Sequence, residues 1–261
     1  MQKKSHVLVG ILLAGLMSTA ASCSSEFNLD WDDHYQYTET TQQIIPFVGK
    51  QTLTIENSIG EIKIESGTQN AIEMTATKKT KHPEDLSQLR IEIRETPAGV
   101  EIRSIHPEHQ SSKWAVEYVL KIPAGTGVQI DQGVGEISVA NHQGGASTVK
   151  LGVGDLKLEN IQLTSLSADV GVGDIILKNI DSSAIEANVG TGDLNLRLRP
   201  DASFTVDAEV GMGDVTIKGF SNMNLSHKGF IAHSVNGTIG QGTGRLHLHV
   251  GVGDITVRPL E

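Results

Sequence analysis

Aspartates at a nearly regular spacing are the side chains of this 261-residue chain with the clearest chemical potential. Each follows a Gly-x-Gly triplet and precedes an aliphatic residue; the five are Asp155, Asp174, Asp193, Asp214 and Asp254. Clustered carboxylates suit calcium, and paired carboxylates cleave polysaccharides in many enzymes. Turn aspartates, however, commonly accept backbone N–H bonds. Two interpretations stay open, a structural column of corner residues and a calcium ladder, and we favour the first with no resident cofactor.

Two histidines form the second candidate site. His247 and His249 alternate with aliphatic residues, so both face outward if this segment is a strand. Together with His227 or His233 they have the spacing to share a metal, although outward histidines on a polar strand are usually only solvated. The one cysteine, Cys23, lies in the leader, and no helix follows the Gly-x-Gly-Asp copies to hold a nucleotide phosphate. We therefore predict that the protein is not an enzyme.

The spacing of the glycine motif predicts the architecture that would hold these side chains. The first glycines are Gly152, Gly171, Gly190, Gly211 and Gly251, and a variant with glutamate begins at Gly133. The successive steps are 19, 19, 21 and 40 residues, and the last equals two steps of 20. One such unit cannot bury its own apolar face, so neighbours must stack. We predict an all-β, single-stranded β-solenoid, similar to a β-helix, with coils of about 19–21 residues.

Aliphatic residues change their alternation at each motif. In one copy they are Leu166, Ala168, Val170 and Val172 before the motif, then Ile175 and Leu177 after it. Residues two apart on a strand share one face, so keeping all six inside requires a bend at Gly173-Asp174. We expect Val172 and Ile175 to share the interior. We also expect one interior column formed by Val170, Val189, Val210 and Val250.

The chain divides into three parts. Residues 1–22 have the anatomy of a lipoprotein-type signal peptide, residues 23–46 form an acidic aromatic linker or cap, and residues 47–259 form the solenoid, with regular repeats from about residue 126. The aromatic residues of the linker lie either against the first coil, which we favour, or on a partner. A short helix is predicted at Pro83–Leu89, where proline opens the helix and acidic residues follow.

The compartment is indicated by the first 23 residues. Lys3 and Lys4 precede an apolar run that is too short to span a bilayer, for which about 20 residues are needed. Ala20-Ala21-Ser22-Cys23 resembles a bacterial lipobox, although that motif prefers leucine where Ala20 stands; ordinary cleavage without lipid is the alternative. Acylated Cys23 followed by Ser24 implies an outer-membrane lipoprotein, held to the membrane by its lipid. The net charge of −10 disfavours nucleic acid as a partner.

The region from about Thr52 to Val257 resembles an uncharacterised bacterial family of β-strand-repeat, adhesin-like proteins. The likeness is carried by the segments 59–64, 118–123 and 237–245 and by the Gly-Asp-aliphatic copies. The resemblance implies an exported β-solenoid without catalytic residues. We therefore predict a non-catalytic cell-envelope lipoprotein that binds a protein or glycan partner or serves as an envelope scaffold. The alternative is a metal-dependent carbohydrate-binding or polysaccharide-degrading envelope protein that uses the corner aspartates.

Overall fold

Short strands rich in valine, isoleucine and leucine build nearly the whole fold. The computed structural model describes residues 35–49, 51–67, 70–106, 113–228 and 233–261. In chain order the elements are β1 (Tyr37–Pro46), β2 (Thr52–Ile59), β3 (Ile62–Ser66), β4 (Ala71–Thr80), α1 (Pro83–Gln88), β5 (Arg90–Glu95), β6 (Gly99–Ile105), β7 (Trp114–Ile122), β8 (Gly127–Val134), β9 (Ile137–Ala140), β10 (Ser147–Val153), β11 (Leu156–Leu163), β12 (Leu166–Val172), β13 (Ile175–Ser182), β14 (Ala184–Thr191), β15 (Leu194–Leu198), β16 (Phe204–Met212), β17 (Val215–Ile217), β18 (Met223–Lys228), β19 (His233–Ile239), β20 (Gly244–Val252) and β21 (Ile255–Pro259).

The strands form two large sheets. The first sheet has the order β1-β4-β7-β3-β9-β11-β13-β15-β21-β17, and the second has the order β18-β19-β16-β20-β14-β12-β10-β8-β2-β6-β5. Successive strands alternate between the sheets through the repeat region, so each motif joins a strand of the second sheet to a strand of the first. The prediction of an all-β protein is confirmed.

We call the two strands of one repeat a coil. Equivalent strands of neighbouring repeats pair in parallel, with equivalent residues side by side. Leu156 pairs with Ile175, and Ile175 pairs with Leu194, so one coil corresponds to 19 residues in this region. On the second sheet Val170 pairs with Val189 in the same way. Similar backbone shapes stacked in this register give the strands of the regular repeats parallel partners and place aliphatic side chains in continuous buried columns. The predicted column is confirmed, because Val170, Val189, Val210 and Val250 are all buried.

The order of that column differs from the order along the chain. Strand β20 pairs with β14 on one side and with β16 on the other, so Val250 lies between Val189 and Val210. The 40-residue step is therefore not two coils wound in sequence. After β17 the chain forms β18 and β19, which pair antiparallel to each other, and then returns to fill the position between β14 and β16.

The outward turn at the corner begins earlier in the chain than the alternation of apolar residues predicts. Val170 is 3% exposed and Ile175 is fully buried, but Val172 is 51% exposed. The prediction that Val172 shares the interior with Ile175 is wrong. The strand has already turned outward at Gly171, so the residues from Gly171 to Asp174 form the corner and the aliphatic residue within it faces solvent.

The part of the chain before the regular repeats contributes the short helix α1 and the edge strand β1. The helix α1 confirms the prediction, with proline in its first turn and Glu84 and Asp85 at its positive end. Strand β1 occupies the second half of the expected linker and pairs with β4, so β-structure begins before residue 47. The described residues from 35 to 261 belong to one compact unit. In the described part of the chain, no helix has the length and apolar character needed to cross a membrane.

A buried polar cluster joins both sheets near the start of this unit. The hydroxyl groups of Ser104 and Tyr118 are 2.7 Å apart, and Ser104 donates to Asn57 Oδ1 at 2.8 Å. Asn57 in turn donates to the Val116 carbonyl at 3.0 Å. Burial raises the pKa of Tyr118 to about 12, so its phenol stays protonated and hydrogen-bonded at physiological pH.

Candidate functional site

Glycines with left-handed backbone shape each corner. Gly173 has φ +132°, and an added Cβ would overlap the Gly154 carbonyl oxygen of the preceding coil. On the other side, the Gly173 N–H donates to the Thr191 carbonyl of the following coil at 2.9 Å. Only glycine adopts this conformation at so close an approach of two main chains. The motif is therefore required by the stacking of the corners.

The corner aspartates bond to the main chain of the neighbouring coil. Asp155 Oδ1 accepts the N–H of Asp174 at 2.9 Å, and Asp174 Oδ1 accepts the N–H of Asp193 at 2.8 Å. The same bond runs from the Asp254 N–H to Asp193 and from the Asp214 N–H to Asp254, at 2.9 and 2.8 Å. Adjacent N–H groups donate to carbonyl oxygens of the following coil, so the aspartate N–H points toward the preceding coil. Each carboxylate supplies the acceptor that this N–H otherwise lacks.

The column ends on a histidine. Asp214 belongs to the outermost corner, and its Oδ1 lies 2.9 Å from His233 Nδ1. The same nitrogen lies 2.8 Å from the Gly213 carbonyl oxygen. His233 thus occupies the position of the next coil's backbone N–H. Within the ranges the structure describes, no group of three or more His, Cys, Asp or Glu side chains has the arrangement of a metal site. This geometry favours the structural interpretation of the aspartates.

We expect Asp174→Ala to lower the free energy of unfolding by about 0.5–1.5 kcal/mol, because the Asp193 N–H loses its acceptor. Asp174→Asn retains an acceptor oxygen and removes one of a row of like charges, so its loss is expected to be smaller. Urea denaturation followed by circular dichroism measures both. If the two variants lose equal stability and calcium raises the melting temperature of the wild type alone, the cation interpretation replaces the structural one.

A groove runs beside the corners on the outside of the second sheet. Its floor consists of main chain and small side chains. The main chains are packed closely there, since an added Cβ at Gly171 would lie 2.5 Å from the Gly152 carbonyl oxygen. We call it the glycine groove; it follows Gly133, Gly152, Gly171, Gly190 and Gly251. It crosses five strands and is therefore about 20 Å long. One wall is polar and is formed by Asp131, Lys150, Asp169, Asn188 and His249.

The other side of the groove carries exposed aliphatic side chains. This apolar rim consists of Val134, Val153, Val172, Val252 and Met212, which are 41–60% exposed. Cross-strand pairing places them in one line, interrupted by Thr191 between Val172 and Val252. Solvent-facing aliphatic residues at equivalent positions of successive coils are typical of a contact surface. The groove and its rim can accept an extended chain, but they hold no converging catalytic groups.

A family model described as Toastrack DUF4097 matches residues 36–258, from the start of β1 into β21. The chain belongs to this family. Toastrack DUF4097 is a domain of unknown function. No curated protein matches the chain.

Solved structures similar to this Toastrack domain come from bacteria. One is a candidate cell adhesion protein from Clostridium sporogenes, with 15% identity, coverage of 86% of this chain and 100% of that chain, and a TM-score of 0.43. Another is a candidate adhesin from Bacteroides fragilis, with 15% identity, coverage of 86% and 98%, and a TM-score of 0.46. A third, from Parabacteroides distasonis, is described as a candidate lipid-binding protein, with 11% identity, coverage of 85% and 97%, and a TM-score of 0.27.

The four candidate metal-ligand histidines of the Toastrack domain do not converge on one point. His247 Nδ1 lies 3.4 Å from Asp207 Oδ2 on the solvent face of the second sheet. His249 forms part of the polar wall of the glycine groove, His233 closes the aspartate column, and His227 lies on β18. Cys23 and the leader lie outside the described residues.

Sequence reasoning missed a second ladder on the first sheet. Asn141, Asn160 and Asn179 have left-handed backbone, with φ of 53°, 56° and 56°. Asn160 Nδ2 donates to Asn141 Oδ1 at 3.1 Å, and Asn179 Nδ2 donates to Asn160 Oδ1 at 2.9 Å. Their 19-residue spacing is the signal that could have identified them, since asparagine tolerates this conformation in turns.

Proposed function

We propose that this Toastrack protein is a non-catalytic cell-envelope lipoprotein that binds a protein or glycan partner, or acts as an envelope scaffold, through its exposed sheet surfaces. The observation that carries the proposal is the glycine groove with its apolar rim. The rim keeps five large aliphatic side chains in solvent, at positions where the fold requires none. A solvent-facing line of apolar side chains supports binding of a partner and supplies no groups for catalysis.

The proposal includes a single-stranded β-solenoid whose two walls are the two sheets. Parallel pairing of equivalent residues, with a 19-residue coil, supports this description. The inserted β20 and the antiparallel pair β18 and β19 modify one end of the solenoid. The solenoid presents repeated surface positions in straight lines, which suits extended partners.

Location in the outer membrane rests on the lipobox-like sequence ending at Cys23. We expect Cys23→Ala to move the protein from the membrane fraction to the soluble fraction, because the acyl acceptor is lost. Ser25→Ala, two residues away, serves as the control and is expected to stay with the membrane. Immunoblots of fractionated cells measure the distribution. Continued sedimentation of the Cys23 variant with the membrane would contradict lipid anchoring.

The same cells test the binding surface. Chemical cross-linking of the wild type is expected to yield a discrete adduct with one envelope component. The double substitution of Val153 and Val172 by serine removes the centre of the apolar rim without touching the core, so it is expected to abolish that adduct while the melting temperature is retained. An adduct that persists in the rim variant would exclude the glycine groove as the binding surface.

A further inference from the structure

Four basic side chains lie side by side on the solvent face of the first sheet. Lys178 on β13 pairs in register with Arg197 on β15, which pairs with Arg258 on β21. Ile217 pairs with Val257, so Lys218 lies next to Arg258. All four residues are exposed. Neighbouring strands are about 4.8 Å apart, so this basic row forms a straight line about 14 Å long.

Most of the row has no counter-charge. Lys178 Nζ lies 2.6 Å from Glu159 Oε1. Arg197, Arg258 and Lys218 make no side-chain hydrogen bond or ion pair with any residue in the described ranges. The outward-facing row beside it is neutral and polar on the same three strands, with Asn195, Thr256 and Thr216. Asp181 and Asp201 face Arg199, which lies outside the row.

The basic row differs from most charged cross-strand neighbours of the two sheets, which combine opposite charges. Lys78 lies 3.3 Å from Glu39, Lys79 lies 2.8 Å from Glu117, and Arg103 lies 2.8 Å from Glu56. Glu56 and Asp131 form a like-charged pair, but that pair is acidic. Lys150 lies in register between Asp131 and Asp169. Like charges directly opposite each other destabilise a sheet. The chain has a net charge of −10, so it has more than enough acidic residues to neutralise the basic row, yet none of them pairs with Arg197, Arg258 or Lys218 within the described ranges. The excess positive charge of the row therefore points to an anionic ligand.

We propose that the basic row binds a linear acidic polysaccharide, through carboxylates repeated along the polymer. Guanidinium groups bind carboxylates in bidentate fashion, and the sheet fixes their spacing before binding. The neighbouring Asn195 and Thr256 offer hydrogen bonds to sugar hydroxyls. An anionic membrane surface fits less well, because Ile176 is the one large apolar side chain exposed on these four strands within the described ranges. The inference rests on the proposed function, from which it selects the glycan.

Binding to immobilised polygalacturonate, a polymer with one carboxylate per sugar, tests the proposal. The full chain is used, with Cys23→Ala in every variant so that no lipid contributes. We expect Arg197→Gln combined with Arg258→Gln to weaken binding at least about tenfold, since two charge-assisted contacts are lost. The control combines Arg94→Gln with Arg103→Gln on the second sheet, outside the glycine groove, which changes the net charge equally, and is expected to stay within about twofold. Binding is expected to weaken as salt is raised.

Four outcomes would overturn the proposal. The first is that the wild type fails to bind polygalacturonate, and the second is that it binds uncharged dextran equally well. The third is that the control loses as much affinity as the basic-row variant, which would indicate an effect of net charge alone. The fourth is that surfaces coated with phosphatidylglycerol retain the wild type more strongly than polygalacturonate does, which would favour a membrane surface. None of these results affects the cross-linked adduct at the apolar rim, so failure of this inference and failure of the proposed function are distinguishable.

Discussion

Gly173→Ala is expected to lower the free energy of unfolding by more than about 3 kcal/mol. The residue has φ +132°, which is strained for any side chain, and its Cβ would overlap the Gly154 carbonyl oxygen. Neither cost can be relieved by rotating a side chain, because the obstacle is the main chain of a coil that is itself stacked on another. Urea denaturation monitored by circular dichroism measures the loss.

Gly145→Ala provides the matched control. The nearest atom to a Cβ at Gly145 is 3.7 Å away, which is ordinary van der Waals contact. Its stability is expected to stay within about 0.5 kcal/mol of the wild type. A comparable loss at both positions would show that glycine content in general, and not the close approach at the corner, determines stability.

Val170→Ala and Val172→Ala are expected to differ strongly, although the residues are of one type, lie two positions apart and belong to one strand. Val170 is 3% exposed in the interior column, so its truncation removes buried methyl groups and leaves a cavity, at a cost of about 2–3 kcal/mol. Val172 is 51% exposed, and its truncation is expected to cost less than about 0.5 kcal/mol.

Thermal and urea unfolding of both valine variants measure the difference. Similar losses at the two positions would mean that Val172 packs inside after all, and the corner would then begin at Gly173 as the alternation suggests. A small loss at Val172 together with a lost envelope adduct in the rim variant would instead assign the exposed valines to binding.

The period of the motif was enough to predict that equivalent residues 19 positions apart lie side by side, but not the order in which the strands stack. Val170, Val189, Val210 and Val250 share one spacing pattern, and the prediction that they form one buried column is confirmed. Nothing in a 40-residue step distinguishes two sequential coils from a detour and a return. That choice depends on pairing energies of whole strands, so the place of β20 between β14 and β16 emerges only from the structure.

Alternation also cannot locate the corner within the motif. Val172 continues the apolar pattern of its strand, and only the three-dimensional path shows that the chain turns at Gly171. The aspartates were predicted as acceptors of backbone N–H groups, which the geometry favours, but the donor belongs to the adjacent coil. The basic row could not be predicted from the sequence either, because Arg258 lies next to Arg197 only as a result of the insertion of β21 beside β15.

The late insertion of β20 makes the order of synthesis matter for this protein. Until the last segment of the sequence is available, β14 and β16 each present an open hydrogen-bonding edge, and the coil ending in β17 has no parallel neighbour. Contacts such as Val189 with Val250 join residues 61 positions apart, so closure is slow and comes last. A newly made chain therefore carries two open strand edges until β20 is in place, and such edges pair readily with strands of other chains.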